Sequence, residues 1–261
     1  MKNDKLKSIL GIPYFLFLVI FVVCPVLILL YYAFTNGAGE FSLANFTLFF
    51  TDSKAIGTLI YSVMIAVVTT IVCLLIAYPV AYFLAKGEFR RGNVLLMLFV
   101  MPMWINFTLR ITALKEILTL IEGNLAFHPF LNTVIGMTYD FLPFMILPIY
   151  NTIAKIDHSY IEAAKDLGAK SYRVFLRVIL PLSIPGIISG ITMVFLPSMT
   201  NYVVLDMMYN STYIMGSLVG SYFSMYDWNN GSVISMILLL LILLLSTITG
   251  EFSDKEDTAY E

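Results

Sequence analysis

Residues 159–181 read Ser159-Tyr160-Ile161-Glu162-Ala163-Ala164-Lys165-Asp166-Leu167-Gly168-Ala169-Lys170-Ser171-Tyr172-Arg173-Val174-Phe175-Leu176-Arg177-Val178-Ile179-Leu180-Pro181. This is the longest polar, charged segment in a chain that is otherwise apolar. Of the 261 residues, 59% are hydrophobic and 12% charged. Soluble domains run at roughly 45–50% apolar and about 25% charged. The excess is too large for a globular core, so the chain is integral to a membrane. The segment 159–181 is then the piece kept in water.

Its local signals are those of two short helices. Ser159-x-x-Glu162 fits a capping box, which predicts a helix from Tyr160. Gly168 ends it, because glycine accepts the left-handed conformation at little cost. Ser171 is expected to cap a second helix running to Leu180, and Pro181 to open the next span. Ala163 and Ala164 are small and let a partner surface come close.

Six apolar stretches surround this segment, at about 12–34, 58–84, 94–109, 130–153, 182–204 and 232–249. They predict an all-α, polytopic fold of six membrane-crossing helices. The first follows a basic start, as a signal peptide does, but its length of about 23 residues exceeds a signal core of roughly 7–15. It is expected to be retained as a span. The third is broken by Pro102 and meets Arg110 early, and a helix is expected to continue beyond it. No long linker divides the chain, so residues 1–261 read as a single domain.

Charge orients the spans. With the amino terminus inside, Lys2, Lys5, Lys7, Lys86, Arg90, Arg91, Lys155, Lys165, Lys170, Arg173, Arg177 and Lys255 all fall on the cytoplasmic side. Only Lys54, Arg110 and Lys115 fall outside. Basic residues favour the inside, which predicts both termini in the cytoplasm and 154–181 as a cytoplasmic loop.

Other classes are excluded or set aside. A formal charge of −2 argues against nucleic-acid binding. The chain carries no G-x-x-x-x-G-K-[ST] sequence for a nucleotide. Cys24 and Cys73 lie apart in apolar runs and read as small core residues, with no metal or catalytic site implied. Pro79, Pro102, Pro143, Pro148, Pro185 and Pro197 fall in or near spans. They mark either irregular packing or helices bent around a path. Gly186, Ser189 and Gly190 suit close helix contacts.

Glu162-Ala163-Ala164, then three residues to Gly168, then nine to Val178-x-Leu180-Pro181, resembles the EAA loop of ABC-importer permeases. That pattern has isoleucine where this chain has Val178. The run Leu142 to Tyr150, leading through Ile156-Asp157 into the loop, resembles the spermidine/putrescine permeases of the PotB type. Met101-Pro102-x-Trp104 with Arg110, and Tyr202-Val203-Val204-Leu205-Asp206, are similar to segments of the same branch, with Leu205 and His158 where proline is common there. The resemblance implies a type I ABC-importer permease fold in the bacterial plasma membrane. It implies that Glu162, Ala163, Ala164, Asp166, Gly168, Leu180 and Pro181 form the coupling loop that docks on an ATPase. It also implies the partners: two ATPase subunits that bind ATP and Mg, a second PotC-type permease, an extracytoplasmic binding protein and membrane lipid. The chain itself would hold no cofactor and do no covalent chemistry.

Ionisable residues inside spans are functional candidates by default. A polyamine asks for carboxylates and for aromatic faces. Trp104, Arg110, Tyr139, Asp140, Tyr202, Asp206 and Tyr209 are therefore candidates for a substrate path. The plainer alternatives are interfacial aromatics, and aspartates that pair with Arg110 or sit in water. Permeases of this kind also carry sulfate, iron or molybdate. An ion-driven secondary transporter would need no ATPase-docking loop and would show an inverted repeat, which this chain does not. An intramembrane aspartyl protease would show G-x-G-D where this chain has Val204-Leu205-Asp206.

Overall fold

A computed structural model describes residues 13–87 and 92–257, and nearly all of them are helical. In chain order the helices are α1 (Pro13–Ala33), α2 (Ala44–Thr51), α3 (Ser53–Lys86), α4 (Gly92–Val100), α5 (Phe107–Glu122) and α6 (Pro129–Lys155). They continue as α7 (His158–Asp166), α8 (Ser171–Leu182), α9 (Ile184–Ser198), α10 (Tyr202–Met207), α11 (Met215–Ser224) and α12 (Trp228–Asp257). Each apolar stretch expected to span is helical. Three are single helices long enough to cross a bilayer, α1, α3 and α6. Two are bent pairs, α4 with α5 and α8 with α9, and the sixth is the apolar part of α12.

The bends correct the expected boundaries. A helix does continue past Arg110, as expected, but the third stretch is broken ahead of it. Pro102 sits in a 3-10 turn, Met101–Trp104, and Asn106 starts a new helix by accepting from the amides of Thr108 and Leu109. Proline has no amide to continue the ladder, and asparagine is a strong helix start. The two helices meet at 99°. The fifth stretch likewise does not begin at Pro181. α8 carries Pro181 in its last turn, and the break of 61° falls at Ser183. The buried Ser183 hydroxyl donates to Leu180 O (2.8 Å) and pairs with the Tyr78 hydroxyl (2.9 Å). The stretch ends at Ser198, and Tyr202–Met207 is a separate short helix.

Contacts group the chain into two units, one reaching Thr58 and including Ser217–Leu241, the other containing Leu59–Gly216. In the first, the most apolar window of α1 has 0% of its residues buried, so that surface is left for lipid or another chain. Cys24, on this helix, is exposed, contrary to its expected place in a core. The end of α1 is tied by two amides. Asn229 Nδ2 donates to Tyr32 O (3.0 Å) and Thr35 O (2.6 Å), and Asn45 Nδ2 to Thr35 O (2.8 Å). Carbonyls at a helix end have no helical partner, and these side chains supply one.

The second unit is built on α6. Val134, Met137, Phe141, Met145, Ile149 and Ile153 recur at helical spacing and are all buried. Pro143 and Pro148 lie inside this helix without breaking it. α9 lies along α6 through Gly186 and Gly190, both buried, while Ser189 faces outward. A Cβ on Gly186 would stand 2.6 Å from Thr152 Oγ1 and 2.8 Å from Pro148 O. Gly57, in α3, has open space around it and no positive φ. Gly186→Ala is therefore expected to cost about 1–3 kcal/mol through overpacking, read as a lower thermal midpoint in detergent. Gly57→Ala should leave the midpoint unchanged or higher. An unaltered midpoint for Gly186→Ala would show that the helices are not in close contact there.

Candidate functional site

The polar segment begins where α6 ends. Lys86 Nζ, from the end of α3, donates to Ile156 O (2.6 Å). Asp157 then caps α7, its Oδ1 accepting from the Ser159 amide at 2.9 Å. Hydrogen bonds from Ser159 hold the Asp157 carboxyl below its ordinary range. The expected capping box, with Ser159 as cap and Glu162 reaching back, is therefore not formed. An aspartate two residues earlier takes the role, and the helix starts at His158. Glu162 is left exposed in mid-helix with its carboxylate unengaged by the cap.

The far end closes as the glycine implied. Gly168 has φ +79°, its amide donates to Lys165 O (2.8 Å), and the Ala169 amide donates to Ala164 O (3.0 Å). That bond pair is a Schellman closure. Ser171 is the first residue of α8, with Lys170 at the cap position and no side-chain bond there. Residues Phe175–Ile179 of α8 take a π-helical turn.

Burial divides the segment into an inner and an outer face. Ile161, Val174 and Ile179 are buried against the second unit. Glu162, Ala163, Asp166 and Gly168 are exposed, and Leu167 is 89% exposed. Ala164 and Leu180 are half-buried, and Pro181 is exposed. A cleft of about 310 Å³ runs beside Leu167 and Gly168, flanked by Arg173 and Arg177.

The other candidates divide into two sets. Arg110 on α5 and Asp140 on α6 are both buried and form an ion pair at 2.5 Å. Arg110 Nε and Nη1 lie buried without a partner among the described residues. Near the far end of α5, Tyr209 holds a left-handed backbone (φ 54°) and carries Lys115 Nζ 4.3 Å over its ring. Its neighbour Asn210 is buried and donates to the Tyr61 hydroxyl (2.8 Å) and Thr133 Oγ1 (3.0 Å). Tyr202 and Asp206, on α10, are exposed, and among the described residues no ion pair reaches Asp206. Tyr139 is partly exposed, and Trp104 is exposed at the bend between α4 and α5. Sequence reasoning missed Lys115 and Asn210, since neither belongs to a local pattern. Among the described residues no group of three His, Cys, Asp or Glu could hold a metal ion.

Comparison with known proteins bears on the whole chain. The profile of the family described as "Binding-protein-dependent transport system inner membrane component" matches residues 77–252. The spermidine/putrescine transport system permease protein PotB of Haemophilus influenzae is 36% identical, over 93% of this chain and 92% of that protein. PotB of Escherichia coli K12 is 34% identical, over 78% of this chain and 80% of its own. The fold is shared with a chain of a bacterial alginate ABC transporter crystallised with its alginate pentasaccharide-bound periplasmic protein. The TM-score is 0.77 over 97% of this chain and 96% of that one, at 12% identity. A chain of the MetNI methionine ABC transporter in an inward-facing conformation aligns with TM-score 0.58, over 78% and 99%, at 16% identity.

The Arg110–Asp140 pair allows a direct test of its role. Arg110→Leu or Asp140→Leu alone leaves one buried charge unpaired and is expected to cost about 3–5 kcal/mol. The double variant should recover most of that loss, because it leaves no charge behind. Thermal unfolding of the two single variants and the double measures the coupling. Additive losses would mean that the two side chains do not act as a pair.

Proposed function

Because the chain belongs to the family of binding-protein-dependent transport system inner membrane components, we propose that it is the permease subunit of an ATP-driven importer of spermidine and putrescine. The substrate follows from the PotB relatives, which align along nearly the whole chain. The mechanism rests on one observation. α7 is fixed to the second unit by Ile161, closed at both ends by Asp157 and Gly168, and turns Glu162, Ala163, Asp166 and Leu167 outward. A rigid, exposed helix of that kind is a docking element.

In this reading residues 1–261 form one permease domain with both termini in the cytoplasm, and α7 meets an ATPase subunit. Two ATPases bind ATP and Mg and hydrolyse it, while this chain performs no covalent chemistry. A PotC-type permease completes the membrane part, and an extracytoplasmic binding protein delivers the substrate. ATP-driven closure of the ATPases moves α7 and shifts the permease between outward and inward states, through contacts that differ between them. Leu180 and Pro181 carry that motion to the Ser183 break and on to α9. Asp206, exposed and without an ion pair among the described residues, with Tyr202 and Tyr209 near it in sequence, offers a carboxylate and aromatic faces to a polyamine ammonium group. Trp104 and Tyr139 complete the proposed path, and Arg110 and Asp140 act through their buried pair, holding the broken span rather than meeting the cation.

Two variants of the assembled transporter test this in proteoliposomes. Gly168→Ala adds the cost of a left-handed non-glycine residue, about 1–2 kcal/mol, without reaching any neighbour among the described residues. Gly168→Asp adds the same strain and a charge on the docking face. The aspartate variant should assemble and hydrolyse ATP yet lose at least about tenfold of spermidine uptake, more than the alanine variant loses. Equal uptake by the wild type and Gly168→Asp would sink the coupling role. Asp206→Asn should lower uptake several-fold, on the order of 1 kcal/mol, while leaving assembly unchanged. Unchanged uptake would remove Asp206 from the path.

A further inference from the structure

A second kind of site lies in the first unit. A pocket of about 380 Å³ opens between α2, the first turns of α3, α11 and α12. None of the substrate-path or coupling residues lines it. Its size is within the range of small-ligand pockets, about 300–1,000 Å³.

The polar atoms around it have been sorted by the fold. Asn45 is 8% exposed, and its amide nitrogen is committed to Thr35 O at 2.8 Å. That leaves its amide oxygen. Asn230 commits its amide nitrogen to Asp227 Oδ2 at 2.8 Å, which leaves its oxygen too. Asp52 Oδ1 accepts from the Lys54 amide at 2.9 Å, and among the described residues no ion pair reaches its carboxylate. Burial first, then the charges of Asp52 and Asp227, push the Tyr222 hydroxyl up, so it stays neutral. What the lining then offers is two amide oxygens and the Asp52 carboxylate as acceptors, with the Tyr222 hydroxyl beside them able to accept or donate. The floor is apolar, with Phe49 and Val233 buried.

A group that complements this must be positive, rich in donors and joined to an aliphatic stem. A primary ammonium has three donors and no acceptor. A hard divalent cation would want six or more oxygens, and an apolar floor supplies none. We propose that this pocket binds a primary alkylammonium group, with its methylene stem against Phe49 and Val233 and its N–H groups on Asn45, Asp52 and Asn230. Free aliphatic amines and the ethanolamine headgroup of a phospholipid share that chemistry. The topology proposed above puts the pocket on the extracytoplasmic side, where both are found. The inference does not rest on the transport reading, since occupancy of this pocket and uptake are measured separately.

The test uses the full chain in nanodiscs of phosphatidylcholine and phosphatidylglycerol, titrated with putrescine by calorimetry. Asp206→Asn is present throughout to weaken the proposed path, and the Asp52 and Asn230 substitutions assign the binding that remains to this pocket. Saturable binding is expected. Asp52→Asn keeps an oxygen for the Lys54 amide and removes only the charge, and should weaken binding at least tenfold. Asn230→Leu removes one acceptor oxygen and should weaken it several-fold. Tetramethylammonium, which has the charge but no N–H donor, should not compete. Putrescine binding that is absent, or that ignores both substitutions, overturns the proposal, as does competition by tetramethylammonium. A second set of discs replaces phosphatidylcholine with phosphatidylethanolamine. If that lipid raises the apparent Kd for putrescine only when Asp52 is present, the headgroup is the natural occupant. If the Kd is unmoved, the free amine is. Either result supports an ammonium site. Melting curves of each variant confirm that the fold survives.

Discussion

An apolar surrounding offers no hydrogen bonds, so every interruption of a helix must be closed by the chain itself. That constraint explains more of this structure than any hydrophobic contact. At the end of α1, Asn229 and Asn45 take the free carbonyls. Between α4 and α5, Asn106 takes the free amides. At the α8–α9 break, Ser183 takes the Leu180 carbonyl and is itself met by Tyr78. After α10, the Asn210 amide takes the Leu205 carbonyl at 2.9 Å. Several of the buried polar residues, Asn45 and Ser183 among them, are stationed at these ends. The helices are bent where they can be closed, and the closures fix where each bend occurs.

This also decides what was legible beforehand. The apolar runs are long and unambiguous, so six helical stretches could be drawn from sequence, and all six are helical. Gly168 was legible because a glycine after a short polar helix has few other uses. The start of that helix was not. Asp157 and Ser159 are both good caps, and the choice between them depends on where α6 ends, which is set by packing and by Lys86 from another helix. The Ser183 break was hidden for the same reason. Pro181 is the stronger local signal, but the partner that stabilises the bend, Tyr78, is 105 residues away. That an aspartate would pair with Arg110 was one of the sequence alternatives, but which one was not legible, since Asp140 lies 30 positions away and the packing of α5 on α6 brings them together.

The charges divide along similar lines. Inside an apolar protein a carboxylate must be paired or must reach water. Asp140 takes the first route with Arg110, and its buried pair contributes to holding a broken span on α6. Asp206 takes the second route and stays exposed. A carboxylate that is already neutralised by arginine offers little to a passing cation, because the arginine would have to be displaced from a buried pair. One that is exposed and unpaired offers its full charge. Ranking the two aspartates by sequence context alone could not separate these situations. Partner and burial do so: Asp140 is buried against Arg110, and Asp206 is exposed with no ion pair among the described residues.

The same reasoning bears on the wet segment. A loop that transmits movement from a soluble partner has to be exposed to that partner and stiff toward the membrane part. Exposure alone would give a flexible loop, and burial alone would give no docking face. α7 meets both demands within nine residues. Ile161 anchors it, Asp157 and Gly168 close its two ends, and Lys86 fixes the carbonyl from which it departs. Glu162, which the expected capping box would have occupied, is instead exposed. The correction at Ser159 therefore strengthens the proposed coupling role: the cap is built from Asp157, a residue outside the E-A-A pattern, and the glutamate at its head is left for a partner.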